Sequence, residues 1–144
     1  MTEQTVGNDI ELLTASVGSL NTLSDIIHAR NVEAGWWTDI HTGEDLRGKD
    51  QYGRDKRNVP EMLALVHSEV TEALEGYRKN QMDDKLPHRS MFEVELADTI
   101  IRIFDLAGAH QLDLAGATLE KLQYNLKRAD HKIENRKKGD GKAF

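Results

Sequence analysis

The chain contains no cysteine. Disulfide scaffolds, thiol nucleophiles and cysteine-type zinc sites are therefore excluded. Proline is nearly absent. Pro60 and Pro87 are the only two, and both fall between periodic segments. Aromatic residues make up 6% and apolar residues 38% of the 144 positions, against roughly 45–50% apolar, glycine counted, in an average globular chain. A single copy of this size has a thin core, so shared burial in an oligomer is expected. No apolar run approaches the ~20 residues of a membrane span. Strand signals, fixed-period repeats and low-complexity tracts are all missing. Basic charge is in deficit, with 19 Lys and Arg against 25 Asp and Glu, a net charge of −6. That disfavours a nucleic-acid polymer or an anionic membrane surface as the partner. It leaves nucleotides open, because a metal held on carboxylates can meet their phosphates. The N-terminus lacks the basic start and apolar stretch of a secretory signal, so a cytoplasmic protein is expected.

What is present is helical periodicity. A short helix is predicted over 9–17 and a longer one over 20–34, with Leu20, Leu23, Ile27 and Ala34 on one face and Gly35 at its end. A polar stretch follows over 35–59, containing Gly43, Gly48 and Gly53, the pair Trp36 and Trp37, and the cations Lys49, Arg54, Lys56 and Arg57. Such length without periodicity reads either as a loosely packed surface loop or as a lid closing over a ligand. Pro60 suits the first turn of a helix running to 78. Ser90 and Glu93 have capping-box spacing, which starts a third helix ending near 108. Asp113 caps a fourth, predicted to run to 138 and to stop at Gly139, leaving 139–144 as a flexible tail. The expectation is one all-α domain over 1–144 with four main helices, most simply a four-helix bundle.

The strongest chemical signal is a carboxylate quartet. Glu69 and Glu72 lie three apart on the second helix, and Glu95 and Asp98 three apart on the third. Residues at that spacing share one side of a helix. A short linker makes the two helices antiparallel neighbours, so the two pairs can face each other. At about 100° per residue, Met62, Val66, Val70, Ala73 and Tyr77 form the apolar face of the second helix, with Glu69 and Glu72 at its edge. The third helix is apolar nearly all round, which predicts a buried helix. Only the strip Glu95, Asp98, Arg102 and Asp105 is polar. It is either a thin solvent face or the wall of an internal site. Four adjacent carboxylates repel, and a divalent cation removes that penalty. Hard oxygen donors select Mg²⁺, with Mn²⁺ able to substitute. Ordinary solvated acids are the alternative. A di-iron bundle needs Glu-x-x-His spacing, which His67 and His88 do not supply.

Along the fourth helix Lys121, Asn125, Arg128 and Lys132 form a stripe beside the apolar positions Leu119, Leu122, Leu126, Ala129 and Ile133. It is either a solvated charged face or a phosphate-binding stripe that complements the acidic one. Trp36 and Trp37 either stack on a base or pack in a core or interface. Asn31 either hydrogen-bonds a base edge or is a satisfied buried amide.

These residues resemble the MazG-like all-α nucleoside triphosphate pyrophosphohydrolases, whose signature is E-x-x-E followed by E-x-x-D. Here that pattern is Glu69, Glu72, Glu95 and Asp98. The segment around Lys121, Asn125 and Arg128, with a later Gly-Lys-x-Phe, is similar to the downstream pattern of small phage and bacterial members. The resemblance covers about 60–144. It implies hydrolysis of a nucleoside triphosphate to the monophosphate and pyrophosphate. Mg²⁺ on the quartet would bind the triphosphate and activate water. Lys121, Asn125 and Arg128 would stabilise charge on the phosphates. A homodimer or homotetramer with sites at subunit interfaces is also implied. Purine deoxynucleotides (dGTP and dATP) in a phage-infected cytoplasm form one substrate class, and dUTP or damaged nucleotides the competing one. A non-catalytic helical oligomerisation module is the rival from another functional class.

Overall fold

The computed structural model describes residues 3–138, with side chains from residue 11 onward. It is all-α. Five α-helices occur among the described residues: α1 Glu3–Glu33, α2 Val59–Lys79, α3 Met91–Ala109, α4 Leu114–Lys127 and the short α5 Ile133–Arg136, with a 3₁₀ turn at Ala129–His131 between the last two. Extended pairing among them is limited to the isolated bridges Thr38–Asp45, Lys49–Asp55 and Met82–Ser90. No helix among them is long and apolar enough to cross a membrane. The chain divides into two compact units: Thr22–Leu112, and the segments on either side of it.

The caps explain the helix starts. The Asn58 side chain accepts from the Glu61 N–H, and Pro60 stands in the first turn of α2. The Ser90 side chain accepts from the Glu93 N–H and opens α3. Asp113 accepts from the Gly116 N–H and opens α4. Asn80, left-handed at φ 50°, closes α2.

Two expectations about helix bounds are corrected. The segments 9–17 and 20–34 are one helix, because Gly18 sits in open space and merely lowers local propensity without breaking the helix. The predicted fourth helix to 138 stops at Lys127. Arg128 is extended at φ −70°, ψ 132°. Its guanidinium closes on Asp130, two residues ahead. Residues two apart do not face each other on a helix, so this pair forms only where the helix has ended. The Asn135 amide then ties the following turn to the Ala129 carbonyl at 2.8 Å. Gly139 and the predicted tail 139–144 lie outside the described residues.

Within the unit Thr22–Leu112, α2 packs along α3. Gly76 meets the start of α3 at Met91, while Glu69 meets Arg102 further along. One number falls as the other rises, so the helices are antiparallel. A Cβ on Gly76 would stand 2.8 Å from Met91 Cγ. The missing side chain lets α3 approach and turns the face of Met62, Val66, Glu69, Ala73 and Gly76 inward. The latter half of α1 leans on α3 in the same way. Ser24 donates to the Phe104 carbonyl at 3.2 Å. His28 presses against Gly108, where an added Cβ would lie 2.6 Å from the His28 Cβ.

The expectation of a buried, all-round apolar α3 is overturned. Its buried residues are Glu95, Thr99, Asp105 and Ala107, whereas Leu96, Ile100 and Phe92 are exposed in the single chain. The polar strip faces inward, and the apolar positions Phe92, Leu96 and Ile100 stay exposed among the described residues. The core is thin, as expected. The buried apolar residues are Trp37, Ala73, Ala107 and Ala115 among the described residues, and no large side chain is fully buried.

Candidate metal centre and adjoining cavity

The acidic strip of α3 faces α2. One oxygen each from Glu69, Glu95 and Asp98 lies within 4.8 Å of the others, with Glu69 and Glu95 buried and Asp98 half-buried. The i, i+3 spacing on α3 sets two of them side by side, and the Gly76 approach brings Glu69 against them. Glu72, the fourth member of the expected quartet, is exposed and contributes no oxygen to this group. Its charge still reaches Glu95.

The electrostatics express crowding. Burial pushes the Glu95 carboxyl up to about 7, helped by a hydrogen bond with Glu69 and by the charges of Glu72, Glu69 and Asp98. Asp98 is also raised, first by burial and then by the Glu69 charge, with Arg102 acting in the opposite direction. Arg102 Nε donates to Glu69 Oε1 at 2.6 Å. Three crowded oxygen donors with one guanidinium between them are what a hard divalent cation is suited to satisfy. Glu69, Glu95 and Asp98 are the residues that would hold it.

The group borders a cavity of about 390 Å³ lined by polar and apolar side chains. Trp36, Met62, Leu65 and Ile101 give it apolar wall. Asn31, Arg57, Asp98 and Arg102 give it polar edge. The two tryptophans divide their roles. Both line the cavity, but Trp36 is 65% exposed whereas Trp37 is 2% exposed. Trp37 Nε1 donates to Asp105 Oδ1 at 2.8 Å. The same oxygen meets His28 Nδ1 at 2.7 Å, and the His28 and Trp37 rings pack edge to face. Asp105 thus ties α1, the loop and α3 together at the cavity wall.

The loop before α2 is exposed along most of its length and is held by its own turns and ion pairs. Glycines at 35, 43, 48 and 53 all take φ between 74° and 84°, as tight turns require. Asp39 caps the turn at His41 and Thr42 through its Oδ1. Most of the loop's cations are engaged locally: Arg47 by Asp45, Lys49 by Asp55, Arg54 by Asp50 and Lys56 by Glu44.

The basic residues expected to bind phosphate belong to the other compact unit. There Lys121 Nζ sits 4.9 Å over the Tyr124 ring, and Arg128 is paired with Asp130. The Asn125 Oδ1 is buried and accepts no hydrogen bond among the described residues. Because α4 ends at Lys127, the four residues including Lys132 do not form one helical stripe.

Several residues around the site had weaker sequence signals. Arg102 and Asp105 continue the 95, 98 spacing of the polar strip, and that periodicity was the available signal. His28 had none. Asp83 is buried in the linker 80–90 and accepts from the N–H groups of Lys85 at 3.0 Å and Leu86 at 2.6 Å. Its charge is felt at Asp98. Compared with known proteins, the chain has no match among protein-family models, curated proteins or solved structures.

Proposed function

We propose that the protein is a Mg²⁺-dependent nucleotide pyrophosphohydrolase that converts a deoxynucleoside triphosphate to its monophosphate and pyrophosphate. The observation that carries this reading is the carboxylate group of Glu69, Glu95 and Asp98 at the edge of a cavity with both aromatic and cationic walls. Bound Mg²⁺ supplies polarisation of phosphoryl oxygens and acidification of water. Glu69, Glu95 and Asp98 would hold it. A carboxylate oxygen of the quartet that the ion leaves free would accept the proton of the attacking water. The water oxygen bonds to the first phosphorus as the anhydride bond to the second phosphate breaks, so the products are the monophosphate and pyrophosphate. Trp36 offers a stacking face and Asn31 a hydrogen-bonding edge for the base. We take the purine deoxynucleotides dGTP and dATP as substrates, with dUTP and damaged nucleotides as the competing arms of the assay.

The working form is proposed to be a homodimer. Val70, Leu74 and Tyr77 on α2 and Phe92, Leu96 and Ile100 on α3 are exposed in the single chain, and the Tyr77 and Phe92 rings meet at 5.4 Å, joining the two stripes. A second copy covers such surface at least cost.

The test is product analysis with each nucleotide and Mg²⁺. Asp98→Asn should lower turnover at least about a hundredfold, the range for removing a group that acts on transition-state charge. Glu72→Gln should cost less, because Glu72 stands outside the group. Absence of turnover on every nucleotide, or full turnover in Asp98→Asn, refutes the reading and favours a non-catalytic oligomerisation module.

A further inference from the structure

Two guanidinium groups border the cavity, and they are not equivalent. Arg57, just before α2, is half-buried and lines the cavity. The neighbouring loop cations are held by loop carboxylates. Arg57 has no ion pair or side-chain hydrogen bond among the described residues, a costly state for a partly buried cation. Arg102 lines the same cavity, but its Nε is engaged with the 8% exposed side chain of Glu69. It is the only cation within ion-pair distance of the carboxylate group among the described residues. Its own side chain is 41% exposed, and its terminal N–H groups have no hydrogen-bond partner among the described residues. A guanidinium has five donors in a planar fork, of which Arg102 spends one.

A divalent cation on Glu69, Glu95 and Asp98 would compete with Arg102 for Glu69 and repel it at close range. The displaced side chain has open space on the cavity side, where Arg57 already stands. We propose that Arg102 is a hand-over residue: it neutralises Glu69 while no cation is bound, and on cation binding it turns into the cavity and, with Arg57, grips a phosphate group. This rests on the metal reading above and deepens it by assigning an anion subsite to the loop and α3. Cation binding thereby prepares the anion site, and the coupling is reciprocal.

Removing Arg102 has opposite effects on the two ligands, which a merely structural role would not produce. In titration calorimetry on the full chain, Arg102→Gln should bind Mn²⁺ alone about three- to tenfold more tightly than wild type, because the competing charge is gone. Inorganic tripolyphosphate, titrated at saturating Mn²⁺, should bind the same variant about tenfold more weakly, the loss of one charge-assisted contact. Arg57→Gln should leave Mn²⁺ affinity unchanged and weaken tripolyphosphate by a similar factor. If Arg102→Gln does not fold, Arg102→Lys serves. It should keep Mn²⁺ affinity within about twofold of wild type and weaken tripolyphosphate several-fold, because an ammonium lacks the fork. Weakening of both ligands by Arg102→Gln, or of neither, overturns the hand-over alone, as does unaltered tripolyphosphate binding in Arg102→Lys. Wild type that binds no Mn²⁺ overturns the metal reading with it.

Discussion

Glu95→Gln separates a cation-binding carboxylate group from a merely solvated one. In metal-free buffer the Glu95 carboxyl titrates near 7 in the folded protein, against 4.5 for the ordinary group, because it is buried among other acids. The folded state therefore holds a proton on Glu95 between those values, where the unfolded state has released it. Stability is full below about pH 4.5 and falls as pH rises toward 7. At about 1.4 kcal/mol per pH unit, the interval corresponds to ~3 kcal/mol. Water entering from the cavity screens this to about 1–2 kcal/mol. Glutamine mimics the protonated carboxyl, so Glu95→Gln should be more stable than wild type at pH 8 by about 1–2 kcal/mol, a Tm rise of roughly 4–8 °C. At pH 4.5 the two should coincide. Thermal melts followed by circular dichroism, in chelator, from pH 4.5 to 8 read this directly. Adding Mn²⁺ at pH 8 should raise the Tm of wild type by mass action and leave the variant nearly unmoved. A wild-type Tm flat across the range, or equal destabilisation by Glu95→Gln at both ends, would refute crowding of these carboxylates.

Asp105→Ala removes the acceptor of both Trp37 Nε1 and His28 Nδ1. It should cost about 2–4 kcal/mol through the unsatisfied buried donors and the cavity left behind. A red shift of tryptophan emission should accompany it, and an unchanged spectrum and melt would count against the anchor. Gly108→Ala is ordinarily favourable inside a helix. Here the added Cβ would lie 2.6 Å from His28 Cβ, so chemical denaturation should show a loss of about 1–3 kcal/mol from overpacking. A stabilised variant would mean that α1 and α3 do not approach as described. For assembly, light scattering should give a mass near twice 16.3 kDa, and Leu96→Asp should convert the protein to monomer. A wild-type monomer at micromolar concentration would refute the homodimer, and a mass near four times the chain would replace it with a tetramer.

Local chemistry made much of the fold legible in the amino-acid order alone. Pro60, Ser90 with Glu93, and Asp113 each mark a helix start through atoms within a few residues, so the starts of α2, α3 and α4 could be read directly. The i, i+3 spacing placed Glu95 beside Asp98 for the same reason. What it did not contain was which face of each helix turns inward. Gly76 and Gly108, by lacking side chains, let Met91 and His28 approach, and that approach buries Glu69 and leaves Leu96 and Ile100 outside. Contacts between residues far apart in the chain decided the rest. Trp37 and His28 reach Asp105 across 68 and 77 positions, and Arg102 reaches Glu69 across 33. No periodicity encodes such meetings, because they depend on how helices pack and not on how each one forms.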